Sequence, residues 1–367
     1  MNTPDDTFLK HAGRILNSGQ ARSIVLTGNI NDLFGRTTAE RTDYVPLMQF
    51  LAASWSQSPF IVILYELNGP IRFLRESDSQ KVRDAWLRWR AGLDENELAI
   101  KRMLATGKAQ AELDAVAQTY DDSFRGALNN PTLALELLRQ MCFCSRTTRN
   151  GQRLLDEPLL ILIEGADMLL PEAPVPSLSD ADRHRVIICQ DWFSDPDFLN
   201  SGDSVVLLAE SRSLLHHRIA RLPQLLEVEV PAPDAAVRRQ FIDWFQQQGG
   251  TASPVELWST AEDLAKLTAG LSLHALRQLL VGARHGKRRL SQEDVVAKVE
   301  EFIQSQLGED IVEFKKPTHS FDDVVGFSRL KKFLKDELIP RFTATGSEAL
   351  TGAAVCNVPR SDGRLDK

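Results

Sequence analysis

Residues 159–171 read LLILIEGADMLLP. Five consecutive aliphatic residues, preceded by Asp156, Glu157 and Pro158 and closed by Glu164, predict a short strand over 159–163. Upstream, RSIVLT (22–27) and FIVILYEL (60–67) are continuous apolar runs of the kind buried on both faces of a sheet. Downstream, SVVLLA (204–209) follows the turn-forming Asn200, Ser201, Gly202 and Asp203, and a fifth strand over 226–230 ends at Pro231.

Between these strands the period changes. Helical spacing predicts helices over 8–16, 45–55 and 132–145, the last opened by Pro131, whose fixed φ suits a first helical turn. Residues 71–130 are charge-rich, with helical spacing at Val82, Trp86, Trp89 and Leu93 and again at Ile100, Met103 and Leu104. The two tryptophans would serve either as a partner-binding edge or as anchors for this insertion. After Asp234 only helices are expected, over 235–248, 259–268, 273–285 and 291–307. Strands alternating with helices predict an α/β fold with a five-stranded parallel sheet, a helical insertion and a small helical lid.

The chain of 367 residues is long enough for two compact units, and a net charge of −7 argues against a general affinity for nucleic acid or anionic membrane. No apolar run approaches the roughly 18 residues of a bilayer span, and the acidic start lacks a signal peptide's basic and apolar regions, so a soluble, cytoplasmic protein is expected. Cys142, Cys144, Cys189 and Cys356 form no disulfide or zinc framework and are expected to be free thiols.

The order of the segments resembles that of the AAA ATPases. Residues 159–171 resemble the Walker B strand, 204–212 (SVVLLAESR) the sensor-1 strand, 226–234 the last strand and its exit, and 268–277 (TAGLSLHALR) the sensor-2 segment of the lid. FDDVVG at 321–326, followed by a helical run over 328–342, is close to the opening of an AAA module. The resemblance implies a P-loop NTPase-like domain over 1–234 with its insertion near 75–130, a helical lid over 235–310, and over 311–367 a linker and the start of a second module. It implies ATP and Mg²⁺ as the parent family's cofactors, and macromolecular remodelling through ring assembly as its function. Nucleotide contacts are carried over, as vestiges, to Gly28, Glu164, Asp167, Arg277, Val325 and Gly326.

The departures bear on activity. A phosphate loop, G-x-x-x-x-G-K-[ST], uses backbone N–H groups and a lysine to hold phosphates. No G-K-[ST] occurs: Gly107-Lys108 is followed by Ala109 and Gly286-Lys287 by Arg288. Where the loop belongs, after the first strand, the sequence is Gly28-Asn29-Ile30-Asn31-Asp32, without lysine and with a carboxylate that would repel phosphate. Residues 353–356 begin the corresponding strand of the second module, and again no phosphate loop follows, so a truncated second module is expected.

Gly165 stands where the resemblance places the catalytic glutamate, and Glu210-Ser211 replaces the polar amide of sensor 1. No catalytic residue or resident metal is therefore expected, nor tight ATP binding. The alternative is a non-catalytic adaptor working through protein partners or self-association. Arg218 and Arg221 lie where AAA proteins place an arginine finger. Arg277 is expected to pair with a local carboxylate, and the basic run 284–289 to be a solvated helix end.

Overall fold

The computed structural model describes residues 6–37, 41–67, 69–104, 107–248, 254–307 and 326–338. The chain forms two units, Met1–Ile303 and Gln304–Lys367. The first begins with α1 (Asp6–Ser18), β1 (Ser23–Gly28), β2 (Leu33–Thr37), β3 (Thr42–Pro46), α2 (Leu47–Ser54), β4 (Ile61–Tyr65) and β5 (Ile71–Phe73). A helical stretch follows: α3 (Glu76–Ala91), α4 (Glu95–Leu104), α5 (Lys108–Gly126) and α6 (Pro131–Arg146). Next come the small hairpin β6 (Thr148–Arg149) and β7 (Gln152–Arg153), then β8 (Leu159–Ile163), α7 (Ala166–Leu169), α8 (Asp180–Ser194) and α9 (Pro196–Leu199). The sheet is completed by β9 (Ser204–Leu208), α10 (His217–Ala220) and β10 (Leu225–Val230). Four helices end the series: α11 (Ala235–Gln247), α12 (Ala261–Leu267), α13 (Leu273–His285) and α14 (Gln292–Leu307).

The main sheet has the order β10-β1-β9-β8-β4-β5. Five strands are parallel, as the aliphatic runs predict, but a sixth, β5, pairs antiparallel with β4. Three residues are too few to display a period, which is why β5 escapes a sequence reading.

The central parallel strands β4, β8 and β9 are buried along their whole length because both faces are covered, whereas β10 at the sheet edge exposes Glu227 and Glu229. Ile161, Ile163 and Val205 enter one core with Trp86 of α3, Met141 of α6 and Trp192 of α8. Leu160, Leu162 and Val206 point the other way, into a core built with Phe8 and Ile15 of α1 and Phe50 of α2. Burying each such aliphatic side chain contributes about 1.5–3 kcal/mol.

Three expectations need correction. The helix predicted from residue 45 starts at Leu47, because Tyr44 and Val45 belong to β3, paired antiparallel with β2. This hairpin reaches the helical subdomain: Tyr44 packs edge-on against Phe241 at 4.8 Å, and Trp244 Nε1 donates to the Thr42 carbonyl at 2.8 Å. In the insertion, Val82 and Trp86 are buried, but Ile100 and Met103 are 54% and 85% exposed; Leu98 faces inward instead. Helix α8 was not expected, since Asp and Arg residues dilute its pattern, yet a capping box between Ser179 and Asp182 starts it.

Trp86 donates from Nε1 to Gln140 at 3.2 Å and Trp89 stacks on Phe143, so both tryptophans anchor the insertion to the core. Cys142, Cys144 and Cys189 are buried free thiols. Among the described residues no helix is long and apolar enough to cross a membrane. In the second unit, α15 (Ser328–Phe333) leads into a π-turn at Leu334–Leu338. The rest of the helix expected to 342, the run 353–356, Cys356 and Val325 lie outside the described residues.

Candidate functional site

Open parallel sheets bind ligands in the crevice beyond the carboxyl ends of their strands, where the strand order reverses. Here β1 lies between β10 and β9, so the chain leaves it first toward one edge of the sheet and ends beside it on the other. A crevice of about 590 Å³ opens at that end. Its walls carry Asn31 after β1, Glu66 after β4, Glu164 and Asp167 after β8, and Glu210 after β9. Glu172 completes five carboxylates, and among the described residues no lysine or arginine lines the space, although Arg72 pairs with Glu66 from beside it at 2.5 Å.

At the end of β1 and the start of the turn after it, three successive amides are used inside the protein. Gly28 N–H donates to the Glu210 carbonyl (3.1 Å), Asn29 N–H to the Val230 carbonyl (3.0 Å) and Ile30 N–H to the Gly28 carbonyl (2.7 Å). Three successive donors are thus spent on protein oxygens, and none of them is left for a phosphate. Gly28 is required there: its φ is +89°, and a Cβ would sit 2.9 Å from the Val230 oxygen.

Asp32, which the sequence marks only as a charge unfriendly to phosphate, has a defined place. Its carboxylate is 1% exposed and accepts from the backbone N–H groups of Leu273 and His274, each at 2.9 Å. Asn29 Nδ2 adds a third bond at 3.1 Å. Leu273 and His274 open α13, whose N-cap Ser272 serves Ala275 N–H. The free amides of a helix N-terminus are a ready anion site, and here the protein's own carboxylate fills it. No local pattern around Asp32 announces this, because its partners lie some 240 residues away.

Of the residues carried over from the resemblance, Glu164 and Asp167 meet at the crevice, with Gly28 at the end of β1 behind it. Burial, and then the Glu66 charge, push Glu164 above the ordinary glutamate range, while Arg72 pulls it partly back. Asp167 accepts from Glu210 N–H at 2.9 Å, fastening the segment after β8 to the segment after β9. Gly165 adopts φ +64° as the N-cap of α7, a left-handed conformation that disfavours a glutamate. Ser211 shares its hydroxyl with Ser213 inside its own turn (2.8 Å), and Arg212 donates to the Ala220 and Leu225 carbonyls.

Arg277 is placed elsewhere. It is exposed and lines a different crevice with Trp244, Phe245 and Arg284, and among the described residues it has no carboxylate partner, contrary to expectation. Gly326 belongs to the second unit, where it is exposed with φ +83°. Arg218 and Arg221 are exposed around α10. The basic run is tied down by the fold: Arg284 donates to the Phe245 carbonyl at 2.7 Å and lies over its ring, Arg288 pairs with Asp294, and Arg289 reaches the Leu257 and Trp258 carbonyls.

A mostly parallel sheet with a crevice at its strand ends, followed by a helical subdomain clasped to the first loop, defines an α/β fold of the Rossmann-like class. Comparison with known families makes this specific. The model for the N-terminal Rossmann-like domain of AAA+ chaperones matches residues 7–231, and that for their second helical domain matches residues 236–308. The chain belongs to the AAA+ chaperone family. No curated protein matches the sequence. Among solved structures, a chain of the E. coli MS115-1 HORMA:CdnC:Trip13 complex is similar at 12% identity, over 81% of this chain and 86% of that one, with a TM-score of 0.41.

Proposed function

We propose that the first unit is an AAA+ chaperone module that neither binds nor hydrolyses ATP and works through protein contacts, as an adaptor or assembly element in the remodelling of other proteins. In the same reading, residues 235–310 are its lid, and 311–367 are a linker and the opening of a second module to which ATP turnover belongs. The observation that carries this is the end of β1 and the turn after it, where the amides of Gly28, Asn29 and Ile30 are spent on protein carbonyls.

Three further features support it. The crevice holds five carboxylates and no lysine or arginine among its lining residues. A phosphate about 5 Å from one carboxylate would be opposed by roughly 3 kcal/mol at an effective dielectric near 20, before any Mg²⁺ is bound. Gly165 leaves no side chain to activate water. Asp32 already occupies the α13 N-terminus, so the helical subdomain is held without a nucleotide between it and the sheet.

Purified chain is expected to release no phosphate from Mg-ATP above background. Turnover that persisted through further purification and disappeared on Glu164→Ala substitution would refute the proposal.

A further inference from the structure

On the rim of the acidic crevice, a second constellation is built from the segment after α7 and the segment leading into α10. Two strands of loop are stitched together there. His216 N–H donates to the Leu170 carbonyl (2.7 Å), Glu172 N–H donates to the Leu214 carbonyl (2.9 Å), and Pro171 forms an antiparallel bridge with Leu215. Leu169, Leu170, Leu215 and Ile219 are buried beneath them, so the backbone positions of Glu172, His216 and His217 are fixed from below.

The side chains converge above this scaffold. One ligand atom from each of Glu172, His216 and His217 lies within 4.8 Å of the other two. The imidazoles are stacked with centroids 4.3 Å apart, and His217 Nδ1 is 3.4 Å from Glu172 Oε2. His216 is only 3% exposed, whereas Glu172 is exposed and His217 half-buried; Glu172 Oε2 also accepts the His217 backbone N–H at 2.6 Å, which aims its carboxylate at the cluster. His216 Nδ1 takes the Arg218 N–H at 3.3 Å, which leaves the Nδ1 lone pair engaged only by a long contact.

We infer that Glu172, His216 and His217 form a binding site for a borderline divalent cation such as Zn²⁺, with an open position toward the acidic crevice. Two imidazoles and one carboxylate are a donor set suited to zinc, at about 2.0–2.2 Å per bond. Tetrahedral ligand atoms at that bond length lie roughly 3.4 Å apart, so the present spread needs a closure of little more than an ångström. Rotation of the His217 ring, and a turn of the Glu172 carboxylate that keeps one oxygen on the His217 N–H, supply it, with His216 as the fixed point. Glu164, Asp167 and Glu210 across the crevice add a field that favours a cation. A bound ion would staple the segment after β8 to the segment after β9 at the rim of the sheet.

The test is calorimetry of Zn²⁺ with the full, untagged chain, alongside Co²⁺ substitution read by its visible d–d spectrum. The expected result is one ion per chain, bound at least about tenfold more weakly by Glu172→Gln and by His217→Ala, and unaffected by His285→Ala on the helical subdomain. Glu172 is exposed and His217 half-buried, so circular dichroism should confirm that the variants remain folded. His216→Asn, which can keep the N-cap acceptor, should weaken binding in the same way. No saturable binding, or binding that Glu172→Gln and His217→Ala leave unchanged, would overturn the proposal.

Discussion

Asp32 offers the sharpest test of how this fold holds together. Replacing it with alanine removes a carboxylate that accepts two backbone N–H groups of α13 at 2.9 Å each, in a site where the residue is 1% exposed. A hydrogen bond to a charged acceptor contributes about 1.5–3 kcal/mol, and a negative charge at a helix N-terminus about 0.3–1 kcal/mol more. Relief of the cost of burying the carboxylate offsets part of that sum. The net expectation for Asp32→Ala is about 2–4 kcal/mol of lost stability, and about 1–2 kcal/mol for Asp32→Asn, which keeps one acceptor oxygen. Ser272→Ala, which removes the ordinary N-cap of the same helix, should cost about 1 kcal/mol and sets the scale. Urea unfolding followed by circular dichroism reads all three, with the slope of the transition held unchanged as a check on the comparison. Raising salt from 0.1 to 0.5 M should move the Asp32→Ala difference little, because the carboxylate is shielded from solvent. If Asp32→Ala lies within about 0.5 kcal/mol of the parent, the clasp contributes nothing and the reasoning fails.

Other outcomes follow from neighbouring groups. Asp203 is held by Ser145 and by Leu159 N–H, and burial pushes its carboxyl up to about 6. Its folded value exceeds the unfolded one, so stability should fall as pH rises from about 4 through 6, by at most about 3 kcal/mol, and Asp203→Asn should flatten the slope in that window; equal slopes would contradict this. Gly165→Ala should cost about 1–2 kcal/mol through its left-handed backbone, measured by the same unfolding curves. Because burial and Glu66 raise Glu164, Glu164→Gln should lift the melting temperature at pH 7, with the gain fading as pH falls toward the carboxylate range; a lowered melting temperature at pH 7 would count against that environment.

The parallel strands were legible because burial on both faces writes an unbroken aliphatic run, as in Leu159–Ile163. Helices with a clear stripe and cap were equally legible: α13 begins at Leu273 behind Ser272, where the sequence puts it. The β2–β3 hairpin was not, since Gly35 and Arg36 interrupt its alternation and its role is to carry Tyr44 to Phe241, a contact between distant segments. The candidate site shows the same division. The missing lysine and the glycine at position 165 are read directly, whereas the inward-turned amides of Gly28–Ile30 and the Asp32 clasp depend on partners set by topology. Arg277 shows the converse: its register matches a family position, while its place at a second crevice with Trp244 and Phe245 is set by how α13 packs.

The most direct measurement of the central claim is a calorimetric titration of the purified chain with ATP in the presence of Mg²⁺, repeated with Asp32→Ala. The account predicts no saturable binding to the parent chain up to millimolar nucleotide. Micromolar binding to the parent chain, weakened by substitutions at Gly28 or Glu164, would mean that the loop after β1 still receives phosphates and would contradict it.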